Sequence, residues 1–400
     1  MDTITYSQFK ALHAKIRQNG LAGNGSIEIT VRCNLRCAHC YVAVPEWQDR
    51  RQELTYEEIT RIFDEIAEEG CLFLLLTGGE PLVRRDFADI YTCAKQKGFF
   101  ITVNTNATLV TERIADLLAE WPPYHVEVTL FGAVRETYER VTGIPGSYDR
   151  CLKGIHLLHD RGVRLLLKTV AMTLNVDEVR QMAGIAEAFG VDFKVDSVIN
   201  PQANGNRLPL RLRLPAEQAA AIDVADPKRE KGWREFGERY QEPITSDELY
   251  NCGAGVNSFH IDPYGHLQLC MVSRYPSYDL RRGSFREGWR EFLRNARAAK
   301  RTECSLCVDC DLRGICETCP GTAEMEHGNK QAPVDYYCQL AHARANKVGL
   351  LARHRPHGPC PGGPESAEFA SSPVRRSGGL IDLRFLDSLT PAHPGCRTCH

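Results

Sequence analysis

Three cysteines crowd eight residues near the start of the chain, Cys33-Asn-Leu-Arg-Cys37-Ala-His-Cys40. Thiolates are soft ligands suited to iron–sulfur clusters and zinc. Three of them on one loop can hold three corners of a four-iron cluster and leave one iron open to a substrate-like ligand. With His39 or His13 added, the same thiols make a Cys₃His zinc site. A second crowd lies later, at Cys252, Cys270, Cys304, Cys307, Cys310, Cys316, Cys319 and Cys338. Eight thiolates would complete two four-thiolate clusters. Cys304, Cys307 and Cys310 have the C-x2-C-x2-C spacing of ferredoxins, and Pro320 follows Cys319. Tandem C-x2-C pairs are equally the spacing of zinc ribbons.

The remaining cysteines carry less. Cys71, Cys93 and Cys151 fall on apolar faces and read as small hydrophobes of the core. Cys360, Cys396 and Cys399 lie in a tail rich in Pro, Gly, Ser and His. Seventeen cysteines without a signal peptide point to a cytoplasmic chain, where thiols stay reduced and serve metal or redox chemistry. A formal charge of −2 gives no electrostatic case for nucleic acid or an anionic membrane. The longest purely apolar run, Cys71 to Leu76, is far too short to span a bilayer.

The elements that must position the first triplet alternate in type. Strand candidates are 26–31, 72–77, 99–104, 125–131, 164–171 and 193–199, separated by amphipathic helices. Thr55 and Glu58 form a capping box ahead of Ile59, Ile62, Phe63 and Ile66. Six βα repeats predict an α/β fold, a partial (β/α)6 barrel like a TIM barrel, with chemistry at the strand C-termini. An open doubly wound sheet fits the same spacing. The expected organisation is an N-terminal extension (1–25), a barrel (26–200) and a connector (201–251). A loop-rich, cysteine-rich domain held by metal (252–345) and a disordered tail (356–400) follow.

The triplet follows the first strand, and the second strand runs into Thr77-Gly78-Gly79-Glu80-Pro81. This C-x3-C-x2-C loop, with His39 before its last cysteine, and the GGEP segment some forty residues on resemble the radical S-adenosylmethionine superfamily. The resemblance covers the barrel half. It implies that Cys33, Cys37 and Cys40 hold a catalytic [4Fe-4S] cluster whose open iron is chelated by S-adenosylmethionine. Gly78, Gly79, Glu80 and Pro81 would then line the cofactor's methionine end. Asn106 near the third strand, Thr129 on the fourth and Lys168 on the fifth match further cofactor contacts. The implied mechanism is reductive cleavage to a 5′-deoxyadenosyl radical that takes hydrogen from a substrate C–H bond.

The later cysteines resemble a SPASM domain, which accompanies radical enzymes that modify peptides and proteins. That resemblance implies two auxiliary clusters, one on Cys307, Cys310, Cys316 and Cys338, the other on Cys252, Cys270 and Cys319. Cys316 and Cys319 are separated by two residues where the family has three. The first auxiliary cluster lacks a close partner for Cys252, so Cys304 supplies its fourth ligand or the position is open to a substrate thiol. Met271 stands where the sulfatase-maturing branch has an acid. Asp262 is a nearby acid and a catalytic candidate, though a turn role before Pro263 suits it equally.

The expected function is modification of a peptide or protein by cross-linking, epimerisation or oxidation, with a flavodoxin or ferredoxin as reducing partner. Two rivals are an electron-transfer protein without radical chemistry and a zinc-stabilised binding module. Protein reconstituted without oxygen should bind about twelve irons as three four-iron clusters. Truncation before residue 356 should leave iron content and 5′-deoxyadenosine yield unchanged. Loss of about a third of the iron on truncation would make the tail a ligand-bearing part of the enzyme.

Overall fold

Six parallel strands cross the sheet in chain order: β1 (Asn24–Glu28), β2 (Phe73–Thr77), β3 (Phe100–Thr105), β4 (His125–Thr129), β5 (Leu165–Val170) and β6 (Asp192–Asp196). The computed structural model describes residues 14–16, 18–42, 52–225, 227–239, 247–302, 307, 310, 312 and 315–350. A doubly wound sheet reverses its strand order among its βα repeats, and these six strands do not. Every right-handed crossover therefore runs the same way, which puts the helices on one side of a partial barrel. The strand residues facing those helices, such as Ile27, Leu74, Leu76, Ile101, Val103, Val126, Val128, Leu165 and Leu167, join one apolar core.

The helices are α1 (Tyr56–Glu68), α2 (Phe87–Gln96), α3 (Glu112–Glu120), α4 (Arg135–Thr142), α5 (Ser147–His159) and α6 (Val179–Ala188). The capping box forms as expected, Thr55 and Glu58 each bonding the other's backbone, and Ile59, Ile62, Phe63 and Ile66 are buried. Helix α4 has no counterpart in the sequence reading. Its stretch RETYERVT is mostly polar and owes its place to Tyr138 and Val141 packing inward.

The sheet also continues beyond the six repeats. Strand β7 (Ser258–Ile261) pairs in parallel with β1 on the side away from β2, and β8 (His266–Gln268) and β9 (Tyr278–Asp279) extend it antiparallel. These strands are too short for periodicity to announce them, yet Phe259 and Ile261 reach the main core. Helices α7 (Ala216–Asp223) and α8 (Pro227–Arg239) occupy the connector, and α9 (Pro320–His327) and α10 (Asp335–Lys347) follow the later cysteines. His13, Cys304, Cys360, Cys396, Cys399 and the 356–400 tail lie outside the described residues.

The GGEP turn packs backbone against backbone. Gly79 N donates to Thr30 O at 2.9 Å and Glu80 N to Arg32 O at 2.8 Å. A Cβ on Gly78, whose φ is +143°, would stand 2.2 Å from Thr30 O, and one on Gly79 would stand 2.4 Å from Arg32 O. Gly78→Ala or Gly79→Ala should therefore cost at least about 2 kcal/mol in denaturant unfolding of the metal-free protein. Gly98→Ala is the control: its φ is +87° but nothing stands within 4 Å of a Cβ there. It should cost only about 1 kcal/mol.

Candidate active site

Alternate strand residues face away from the helices and carry polar groups. Register sets Asn104 beside Glu127, Thr129 beside Lys168, and Lys168 beside Lys194. Asn104 Oδ1 is buried without a hydrogen-bond partner. Lys168 Nζ meets Glu127 Oε2 at 2.8 Å, and both side chains keep about a fifth of their surface exposed. Burial lowers the Lys168 pKa from its ordinary value, against the raising effect of Glu127. Lys168 is thus an internally paired cation on this polar face.

The cysteine loop leaves β1 under tight control. Glu53 is buried and accepts from Thr30 Oγ1 at 2.7 Å, Val31 N at 3.0 Å and Arg32 Nε at 3.3 Å. Farther along, Arg36 N and Ala38 N donate to the carbonyls of Thr142 and Val141, at 2.9 and 3.0 Å. Those carbonyls belong to the last turn of α4, whose C-terminal acceptors need partners. The unforeseen helix therefore holds the middle of the loop. Asn34 Nδ2 donates to Thr108 Oγ1 at 2.7 Å, and Asn106 Nδ2 donates to Asn34 Oδ1 at 3.0 Å. Asn106 Nδ2 also lies 3.9 Å from Cys33 Sγ.

Burial pushes the Cys33 thiol up to about 11 and raises Cys37 and Cys40 as well. Cys33 and Cys40 each add to the rise at Cys37 through their charge, so the three sit in one another's fields. His39 packs its ring 5.2 Å from that of Phe131. Burial holds its pKa down to about 4, so it is a neutral ring at neutral pH.

Glu80 is 0% exposed. Its Oε1 accepts from Leu82 N at 3.1 Å and Thr105 Oγ1 at 2.8 Å, and its Oε2 accepts from Asn106 N at 2.7 Å. Burial lifts its pKa to about 7 despite those bonds. Glu80 thus ties the end of β2 to the end of β3. Asp262 is engaged in the same manner: it accepts from Tyr264 N, His266 N, His266 Nδ1 and Gln268 Nε2. These bonds close the β7–β8 hairpin, so the turn role is the one the geometry displays.

The later thiols form two neighbourhoods. Charge on Cys319 and Cys252 raises Cys270, which burial already pushes up to about 11. Burial likewise pushes Cys316 up to about 11, and Cys307 and Cys338 add to it. Amides point at two of these sulfurs: Ser273 N at Cys270 Sγ, 3.3 Å, and Thr322 N at Cys319 Sγ, 3.4 Å. Cys319 is the N-cap of α9, and Thr322 N is the helix amide that reaches its sulfur. Among the described residues, no three His, Cys, Asp or Glu side chains are placed to share a single metal ion. The donor chemistry fits iron–sulfur clusters: buried thiols in each other's fields are costly as free thiolates and are relieved by cationic iron.

One charged group went unforeseen. Glu28, at the end of β1 and 1% exposed, accepts from Arg274 Nη2 at 2.8 Å and from Nη1 at 3.3 Å. His260 Nε2 stands 3.7 Å from its Oε1, and Ser26 Oγ lies 2.8 Å from His260 Nδ1. Burial opposes ionisation of Glu28, but His260 and Arg274 outweigh it and hold the carboxyl down at about 2. The alternation Ser26, Glu28, Thr30 placed these side chains on the polar face, but the partner more than two hundred residues away was not readable.

Comparison with known proteins agrees with this geometry. Residues 27–186 match the Radical SAM superfamily model. The Fe-coproporphyrin III synthase of Methanosarcina barkeri is 34% identical over 157 residues, 39% of this chain but only 38% of that protein. The mycofactocin maturase MftC of Mycolicibacterium smegmatis is 28% identical over 305 residues, covering 72% of this chain and 76% of the maturase. Streptococcus suis SuiB bound to its precursor peptide SuiA superposes with a TM-score of 0.61 at 17% identity, over 80% of this chain and 78% of SuiB. Residues 27–186 of this chain form a radical SAM domain.

Proposed function

We propose that this chain is a radical S-adenosylmethionine enzyme that modifies a peptide or protein substrate. The observation that carries the reading is the triplet Cys33, Cys37 and Cys40, brought together on a loop held by Glu53 and α4 beside the GGEP turn. When bound, the cluster and S-adenosylmethionine supply a 5′-deoxyadenosyl radical by reductive cleavage.

The chain's own residues hold and orient. Cys33, Cys37 and Cys40 would hold the catalytic cluster, with Gly78, Gly79, Glu80 and Pro81 shaping the adjoining wall. Asn106, Thr129 and Lys168 would contact the cofactor, Lys168 as the cation that meets its carboxylate. Cys307, Cys310, Cys316 and Cys338 would hold one auxiliary cluster, and Cys252, Cys270 and Cys319 the other, with Cys304 or a substrate thiol as fourth ligand. A low-potential donor such as flavodoxin or ferredoxin would reduce them. The peptide reading is supported by the maturase, which is matched over three quarters of its length, and by a fold neighbour that binds a precursor peptide. No described helix is long and apolar enough to cross a membrane. A second reading, action on a tetrapyrrole, draws on the 34% identity with the Fe-coproporphyrin III synthase over the barrel.

Changing Cys33, Cys37 and Cys40 together to Ala should abolish 5′-deoxyadenosine formation under dithionite. Changing Cys307 and Cys310 to Ala should leave part of that cleavage but stop substrate modification. The two substrate readings separate by isotope. Deuterium should pass into 5′-deoxyadenosine from a deuterated peptide encoded beside the gene, and not from deuterated tetrapyrroles, Fe-coproporphyrin III and its precursors included. Cofactor cleavage at the normal rate in the triple variant would remove the active site from this loop.

A further inference from the structure

The Glu28–Arg274 pair joins two parts of the chain that the proposed function uses separately. Glu28 ends β1, five residues before Cys33, and Arg274 lies four residues after Cys270. The guanidinium spans both oxygens of the carboxylate, at 2.8 and 3.3 Å, while its Nε donates to Met271 O at 2.9 Å. All three guanidinium nitrogens are thereby engaged, and the side chain is 16% exposed. A parallel contact runs beside it. Tyr41, the residue after Cys40, points its hydroxyl at Met271 Sδ, 3.8 Å away, and its carbonyl accepts from Ala203 N at 2.8 Å.

We infer that Glu28 and Arg274 are a positioning pair that fixes the Cys270 loop relative to the Cys33–Cys40 loop. The reason is geometric. A buried ion pair brings little net stability over a well-packed apolar pair, because both charges lose their water. A guanidinium gripping a carboxylate through two nitrogens does fix direction as well as distance, which a lysine cannot do. Glu28 is itself held by the strand pairing of β1 with β2 and β7, so it is a rigid anchor. Arg274 and Met271 fasten the segment just after Cys270 to that anchor. In consequence the spacing between the radical site and the first auxiliary site is set by this pair, acting with the β1–β7–β8 pairing, rather than by the long connector. That consequence rests on the proposed function; the positional claim does not.

The test has a metal-free arm and a loaded arm. Arg274→Lys, Arg274→Met and the double variant Glu28→Met/Arg274→Met are compared with the parent by hydrogen exchange on metal-free protein. Amides of residues 271–275 should exchange at least tenfold faster in all three. The double variant, with no orphaned charge, should keep the parent's melting temperature. Should Arg274→Met fail to fold, Arg274→Lys and the double variant decide. In anaerobically reconstituted protein, the spin coupling between reduced clusters should weaken in the same variants at unchanged iron content. Parent-like exchange at 271–275 in the double variant would overturn the inference. If the parent binds no iron, the proposed function fails while the exchange arm still decides whether the pair positions the loop.

Discussion

Glu80 has no access to water, and its hydrogen bonds join its own turn to the end of β3. Its carboxylate accepts from its own turn through Leu82, from the end of β3 through Thr105, and from the residue beyond through Asn106. A buried carboxylate is tolerated only where its lone pairs are satisfied, so these three donors are fixed together or the group is not there. Because Asn106 also reaches Asn34 and the Cys33 sulfur, the same tie extends to the cysteine loop. On the other side, Gly78 and Gly79 let the turn lie against residues 30–32, closer than any side chain would permit. The loop and the GGEP turn are therefore one packed unit, and displacement of either moves the other.

That unit explains why a motif so short is informative. Gly-Gly alone marks any tight turn. Here the missing side chains admit the backbone of Thr30 and Arg32, and the acid that follows is buried as a tie. The resemblance assigns these glycines to an approach on the cofactor. The structure adds a demand inside the protein, the approach of β2's turn to the chain leaving β1. Both demands fall on the same residues, and neither needs the other to exclude a side chain.

How much of this could be read beforehand differs by element. The six strands, the capping box and the cysteine triplet were legible because period, cap chemistry and spacing are local signals. The choice of barrel over doubly wound sheet was not, since it depends on strand order rather than strand content. Helix α4 was hidden by its polar sequence, although its last two carbonyls hold the cysteine loop. Strand β7 was hidden by its length of four residues. The Glu28–Arg274 pair was hidden for a third reason: 246 residues separate its members. Asp262 could be read two ways, and its four bonds within the hairpin display the structural one.

The two buried carboxylates near the cysteine loop are shifted in opposite directions, and the difference bears on how the loop tolerates charge. Glu28 stays ionised, its pKa about 2, because a guanidinium and an imidazole face it. Glu80 has only neutral donors, so burial wins and its pKa rises to about 7. Each raises a thiol through its charge, Glu80 acting on Cys33 and Glu28 on Cys40. Three further negative charges on Cys33, Cys37 and Cys40 would then have to form in a site already carrying negative field. Arg274 is committed to Glu28, and His39 is held neutral by burial. The compensation must come from a cationic group bound to the sulfurs, which ties loss of the thiol protons to occupation of the site.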